Sequence, residues 1–358
     1  MSNLAPLSAS RIKTAQTCSW IYWCKYRLKL PDSSNDGASR GSICHLVFEC
    51  LGNPRHKHHY KSIIKAGTLK GSVAVWKMVL NYAKKLKVDD EENLDLIDSM
   101  TLNGLHYDFF GGDLGKPTEG ISEKAFTIEV DEGAKRYRIR GFIDKLFLYS
   151  RKKKAIIRDF KSSKQVFKGK EVTDNLQNLM YALAVKHLYP QYLQRESEFV
   201  FLKFDLTKDL FGSPGSGIIR MGDMSDEELE GFEYYLTEVQ EFLDNFSEED
   251  AVANLAAKQS YPSDGTFGGP LACGKDGCKM SKGKPLLDKE GNKIQAFICS
   301  FRKPCIYYVL INRDGTVIKS VFEEEEHLLA AEESRGEKIE KRSYDGCPHW
   351  NRPDPFDL

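Results

Sequence analysis

No stretch of this 358-residue chain approaches the roughly 20 consecutive apolar residues a helix needs to cross a bilayer. The opening segment MSNLAPLSAS lacks the basic-then-apolar order of a secretory signal, so a cytoplasmic location is expected. Neither charge sign is in surplus, because 52 Lys and Arg face 52 Asp and Glu. A strongly basic chain would point directly to nucleic acid; here any positive surface must be local. Internal repeats are also missing, which excludes a solenoid or propeller. What remains is ordinary for a globular protein, with 41% hydrophobic and 29% charged residues. The length suits one large domain plus an accessory module. Without a signal, structural disulfides are not expected, so the nine cysteines need another explanation.

The segment YRIRGFIDKLFLYSRKKKAIIRDFKSS reads as two strands joined by a basic turn. Apolar residues alternate through Tyr137, Ile139, Phe142 and Leu146, then Ala155, Ile156 and Ile157 lead into Asp159-Phe160-Lys161. Such strands would deliver Asp144, Asp159 and Lys161 to one rim of a sheet. Two carboxylates and a lysine there suit metal-assisted phosphodiester hydrolysis. The carboxylates hold a hard cation, which activates water, and the lysine orients that water or stabilises developing negative charge.

Three further features accompany this triplet. In GSICHLVFEC, His45 and Glu49 share one face of a helix that starts near Gly41-Ser42. His45 can ligate a metal, with Glu49 bracing it or the metal water. In DNLQNLMYALAVKHLYP, Gln177 and Tyr181 lie one helical turn apart and can donate to a scissile phosphate. In the N-terminal segment, Ser8 or Ser10 can cap a helix. The stripe that follows (Trp20, Tyr22, Trp23, Lys25, Tyr26, Arg27) fits nucleic-acid stacking. Trp20 and Tyr22 are better read as core.

The order L-S-x-S-R, C-x-x-x-Y, G-S-x-x-H-x-x-x-E, G-x-I-D, D-x-K and Q-x-x-x-Y-A-L resembles the RecB-type branch of the PD-(D/E)xK nuclease superfamily. Here these motifs are Leu7 to Arg11, Cys18 with Tyr22, His45 with Glu49, Gly141 to Asp144, Asp159 to Lys161, and Gln177 to Leu183. The likeness covers roughly residues 5 to 205. It implies an α/β fold, a mixed central sheet flanked by helices with a restriction-endonuclease-like core. It also implies Mg²⁺ or Mn²⁺ held by His45, Asp144 and Asp159. Asp144, Asp159, Lys161, Gln177, Tyr181 and Glu49 form the implied catalytic set. Ile143 stands where the superfamily's name has Pro. Glu123 matches a glutamate that often precedes the hairpin in this branch, and ranks below the others.

Four late cysteines cluster in ACGKDGCK and FICSFRKPC, separated by a hydrophilic loop that turns at Glu290-Gly291-Asn292. In one reading Cys273, Cys278, Cys299 and Cys305 close a tetrahedral zinc ribbon. The other follows the resemblance. AddB-like and CRISPR-associated adaptation nucleases join one cysteine before the His motif to three after the core, around a 4Fe-4S cluster. That set here is Cys18, Cys278, Cys299 and Cys305, with Cys273 the alternative to Cys278. Ala296 stands where the first late cysteine usually falls. Cys347, near His349, is a further candidate ligand without an assigned place. Cys44 and Cys50 read as small buried residues.

The expected organisation is a nuclease core over 1–260 with a helical insertion at about 51–118, a cysteine-rich metal module with a hairpin over 261–345, and a tail over 346–358. Helices are expected in SVAVWKMVLNYAKKLKV and after the Ser225–Glu228 capping box, and a hairpin at Asp314-Gly315. Local basic patches are Arg151 to Lys154 at the hairpin turn and Lys161, Lys164, Lys168 and Lys170 beyond it. The function this supports is a metal-dependent deoxyribonuclease. It would act as an exonuclease on single-stranded DNA or DNA ends in recombination, repair or phage DNA processing. A helicase or recombination protein is the expected partner. The alternative is a non-catalytic DNA-binding or scaffolding protein with a nuclease-like fold and a structural zinc ribbon. All of His45, Asp144, Asp159 and Lys161 are present, which favours the enzyme.

Overall fold

The computed structural model describes residues 4–32, 35–167, 172, 175–204, 206, 217–253, 280–281, 284–294, 299–330 and 336–351. The chain forms two compact units, 1–9 with 34–241, and 10–33 with 242–358. This division differs from the boundary expected near residue 260, because the segment with α1 (Ala9–Thr17) and α2 (Ser19–Tyr22) groups mainly with the C-terminal part.

The first unit begins with α3 (Asp36–Gly52), capped by Asn35, whose side chain accepts from the Ala38 amide. Three helices fill the expected insertion: α4 (Lys57–Ala66), α5 (Val73–Lys85) and α6 (Glu91–His106). Ser72 and Asp90 cap the last two, and Gly67 ends α4 at φ 64°, a left-handed turn that glycine adopts without strain.

Five strands follow in the order β1 (Glu119–Glu132), β2 (Lys135–Tyr149), β3 (Lys154–Lys161), β4 (Gln194–Phe201) and β5 (Ile218–Met221). The β3–β4 pair is parallel and the others antiparallel, so the sheet is mixed, as expected. A parallel pair needs a crossover, and α7 (Leu176–Leu188) supplies it. That helix carries Gln177 and Tyr181 back over the strand that carries Asp159. The unit also takes most of α8 (Asp226–Asp244), opened by the expected capping box: Ser225 Oγ accepts from the Glu228 amide, and Glu228 accepts from the Ser225 amide.

Two packing features set the site. The Phe48 ring of α3 sits 4.2 Å from Phe160 of β3, within the core that the insertion helices share. The first turns of α3 also approach the end of β3 closely: a Cβ at Gly41 would lie 2.6 Å from Ser162 Oγ. A Cβ at 41 would therefore require the Ser162 side chain to move.

The second unit holds a three-stranded sheet in the order β10 (Lys338–Tyr344), β8 (Cys305–Ile311), β9 (Val317–Phe322). A small pair, β6 (Met280–Ser281) with β7 (Lys284–Pro285), precedes it. The β8–β9 hairpin turns at Gly315, φ 85°, as expected. After α2 the chain passes into a π-helical turn at Trp23–Arg27, a rare conformation often found at functional sites. Trp20 and Tyr22 are buried core, while Lys25 pairs with Asp32 and Arg27 donates to the Leu243 carbonyl. The basic residues of this stripe are therefore already engaged, against the nucleic-acid reading. Among the described residues, no helix is long and apolar enough to cross a membrane.

Candidate metal and active site

His45, Glu123 and Asp144 bring one ligand atom each within 4.8 Å of one another. Each comes from a different element. His45 lies one turn after Gly41 on α3. Asp144 projects from β2. Ser122 pairs with Lys145 and Lys124 with Ile143, so Glu123 on β1 stands opposite Asp144. Glu123 adopts φ 49°, a left-handed conformation that costs a non-glycine residue on the order of 1 kcal/mol. Such strain, held in the middle of a strand, marks a position that surrounding structure enforces.

His45 Nε2 lies 3.1 Å from the Phe160 carbonyl, which can only accept, so Nε2 is assigned the proton. This leaves Nδ1 facing the carboxylates, 3.4 Å from Asp144 Oδ2 and 3.8 Å from Glu123 Oε1. Burial alone would lower the His45 pKa; hydrogen bonds to Asp144 and Glu123 and the nearby acidic charges outweigh it and push it up to about 10. Asp144 is pushed up to about 6, mainly by burial and then by the charge of Asp159, with His45 pulling back. Its Oδ2 accepts from the Phe160 amide at 2.8 Å.

Asp159 is 4% exposed and lies beside this group rather than inside it. Its Oδ1 accepts from Gln177 Nε2 at 2.7 Å and from the Tyr181 hydroxyl at 2.9 Å. Gln177 Nε2 also reaches the Tyr181 oxygen at 2.6 Å, and Gln177 Oε1 accepts from Lys161 Nζ at 2.7 Å. The other oxygen, Oδ2, is buried and pairs with Lys161 Nζ at 2.7 Å. The lysine ammonium is the charge that compensates this buried carboxylate. Burial, with the charges of Asp159 and Asp144, raises the Tyr181 pKa well above the usual tyrosine value, which keeps the phenol a donor.

Several expectations are met differently. Gln177 and Tyr181 touch the carboxylate and the lysine, so they hold Asp159 and Lys161 in place. Glu49 is exposed on α3 and outside the ligand group, and Glu123 takes the place expected for it. The hairpin register ranks Glu123 higher than the resemblance did, since counting back from the two-residue turn at Gly133-Ala134 puts 123 opposite 144. The basic turn at Arg151 to Lys154 lies about 16 Å along the strands from Asp144 and Asp159. There Lys154 pairs with Glu196 at 2.6 Å and Lys152 donates to the Leu114 carbonyl. Lys168 and Lys170 lie outside the described residues.

In the second unit, Cys18, Cys24, Cys299 and Cys347 are all buried. The Tyr344 hydroxyl accepts from Trp20 Nε1 at 2.8 Å, lies 3.5 Å from Cys24 Sγ, and donates to the Phe301 carbonyl at 2.7 Å. The Cys347 amide donates to the Arg302 carbonyl, and Arg302 donates to the Cys299 carbonyl at 2.8 Å. Burial pushes the Cys24 thiol up to about 12; the Tyr344 contact opposes this, and Cys299, Cys347 and Cys18 add to it. Cys305 instead has Glu324 as its charged neighbour. Cys273 and Cys278 lie outside the described residues.

An acid–histidine group able to hold a metal, beside a braced D-x-K pair on a mixed sheet with a helical crossover, fits a phosphodiester hydrolase of restriction-endonuclease type. The sequence agrees, because residues 6–282 match the model of the PD-(D/E)XK nuclease superfamily, and the chain belongs to that superfamily. Among solved structures it is similar to a protein from Eubacterium rectale named as a candidate exonuclease. Identity there is 11%, with 72% of this chain and 90% of that one covered, at a TM-score of 0.41. It is also similar to SSO0001, with 13% identity over 57% of this chain and 77% of that one, at a TM-score of 0.22. No curated protein sequence matches it.

Proposed function

We propose that this protein is a Mg²⁺- or Mn²⁺-dependent deoxyribonuclease of the RecB-type branch, acting as an exonuclease on single-stranded DNA or DNA ends. Recombination, repair or phage DNA processing is its setting, with a helicase or recombination protein as partner. The observation that carries this reading is the His45–Glu123–Asp144 ligand group, with the buried Asp159 paired to Lys161 beside it. Hard oxygens with one imidazole are the donor set such a cation takes. When bound, the cation polarises the phosphoryl oxygen and lowers the pKa of its water. His45, Asp144 and Asp159 would hold it, with Glu123 as a further oxygen donor. His45 presents Nδ1 because the Phe160 carbonyl engages Nε2. Lys161 orients the attacking water or stabilises charge at the phosphate, steered by Gln177 and Asp159. Tyr181 fixes the Asp159 rotamer by donating to Oδ1.

For the second unit the proposed group is a 4Fe-4S cluster held by Cys18, Cys24, Cys299 and Cys347, with Cys24 and Cys347 in place of the Cys278 and Cys305 of the sequence-based expectation. All four thiols are buried, and the charges of Cys299, Cys347 and Cys18 bear on Cys24. Anaerobic purification should give brown protein with about four irons per chain. Cys24→Ser and Cys347→Ser should lose the colour, whereas Cys305→Ser should keep it. Colourless protein with one zinc overturns the cluster and leaves the nuclease untouched. Cleavage of end-labelled single-stranded DNA tests the nuclease itself. Wild-type protein that binds DNA but never cuts it, with either metal, would leave only a nucleic-acid scaffold.

A further inference from the structure

A groove of about 720 Å³ opens between the first turn of α3 and the loop after β3, and it ends on Phe160 and Lys161. Its lining is cationic. Arg40, Lys161, Lys164 and Lys203 contribute four positive charges against the single carboxylate of Asp36. Lys161 is engaged by Asp159 and Gln177. Among the described residues, none of Arg40, Lys164 and Lys203 forms an ion pair with a carboxylate.

The neighbours of these cations have other roles. Arg40 bonds the Asn93 side chain through NH1, and its Nε is buried without a partner. Burial lowers the Lys203 pKa, and the charges of Arg40 and Lys164 lower it further. Crowded like charges next to a cavity are unfavourable until an anion enters. Elsewhere in this electrically neutral chain lysines find carboxylates, as Lys135 does with Glu233 and Lys154 with Glu196. The backbone adds to the pull. The 17-residue α3 begins in the groove, so its dipole is positive there.

We propose that this groove holds a backbone phosphate of the nucleic-acid strand next to the one being hydrolysed, gripped by Arg40, Lys164 and Lys203. This rests on the nuclease reading and adds how the strand is held. Phe160 is the one aromatic side chain in the lining, and it is packed in the core. The groove therefore offers a base no exposed ring to stack on, and the grip does not depend on sequence. Lys161 closes one end, so the phosphate there is a neighbour of the scissile one.

The test is binding of a fluorescent single-stranded oligonucleotide, as DNA and as RNA, in EDTA at several salt concentrations. Cleavage of the DNA version with Mg²⁺ is measured in parallel. Lys164→Ala with Lys203→Ala should weaken binding at least tenfold and flatten the salt slope by about 0.7 for each phosphate that is no longer paired. In cleavage the same variant should raise KM and keep most of kcat. Lys203→Arg should retain binding, which separates lost charge from lost fold. An unchanged affinity and slope in the double variant overturns the groove, even if the wild type cuts DNA. Wild-type protein that binds through these lysines but never cuts overturns the nuclease reading and keeps the groove. Wild-type protein that binds neither oligonucleotide overturns the groove as well.

Discussion

At its turn end the β2–β3 hairpin carries four consecutive basic residues, Arg151 to Lys154, the densest positive run near the sheet. At its open end the positive charge is spread over Arg40, Lys164 and Lys203, from three separate segments. Lys152 and Lys154 at the turn have settled on a carbonyl and on Glu196. The three at the open end form no ion pair with a carboxylate among the described residues, and the His45–Glu123–Asp144 ligand group lies at that end. Density of charge in sequence therefore misleads; unsatisfied charge in space locates the chemistry.

The sharpest way to break this comparison is to remove an acid at the open end. Asp144→Ala or Asp159→Ala should cut Mg²⁺-dependent cleavage by about a thousandfold or more, because each removes a cation ligand. Circular dichroism should show the fold retained, and activity within a few fold of wild type would defeat the assignment. Lys161→Ala should be nearly as severe in kcat while metal affinity, read by calorimetry, holds. Tyr181→Phe should lose roughly ten- to a hundredfold, as expected when a ligand's supporting bond is removed. Its effect should appear in metal affinity as well as rate. Glu123→Ala should resemble Tyr181→Phe or exceed it, whereas Glu49→Ala should stay within about twofold; the reverse order would restore Glu49 to the site. The smallest effect should come from neutralising Arg151, Lys152 and Lys154 together. That change should leave the salt dependence of oligonucleotide binding unaltered, and a flattened slope would return the turn to the substrate path.

The D-x-K strand, the His45 helix and the Gln177 helix were readable because each shows as local periodicity: alternation for β3 and four-residue spacing for the helices. The same rule paired Glu49 with His45, yet Glu49 lies exposed and outside the ligand group. Spacing on a helix says which residues share a face, but not how far along that face the partner strand reaches. Glu123 needed the β1–β2 register, which a two-residue turn fixes but no local pattern announces. Arg40 and Lys203 lie far apart in sequence and meet only because α3 docks at the end of β3. Cys24 was equally hidden, and Cys347 was named as a candidate without a place, since their proximity to Cys299 depends on the strand that carries Tyr344 reaching the N-terminal segment within the same unit.

Gly41 has a consequence beyond the space it leaves for Ser162. Its residue position is shared by two devices: one turn onward is His45, one residue back is Arg40. A Cβ here would come within 2.6 Å of Ser162 Oγ and 3.2 Å of its Cβ, so the Ser162 side chain or α3 itself has to yield. A shift of α3 would lengthen the reach from His45 to the Phe160 carbonyl and widen the cationic groove in a single movement. Gly41 thus bears on the His45 position and on the Arg40 groove through one contact.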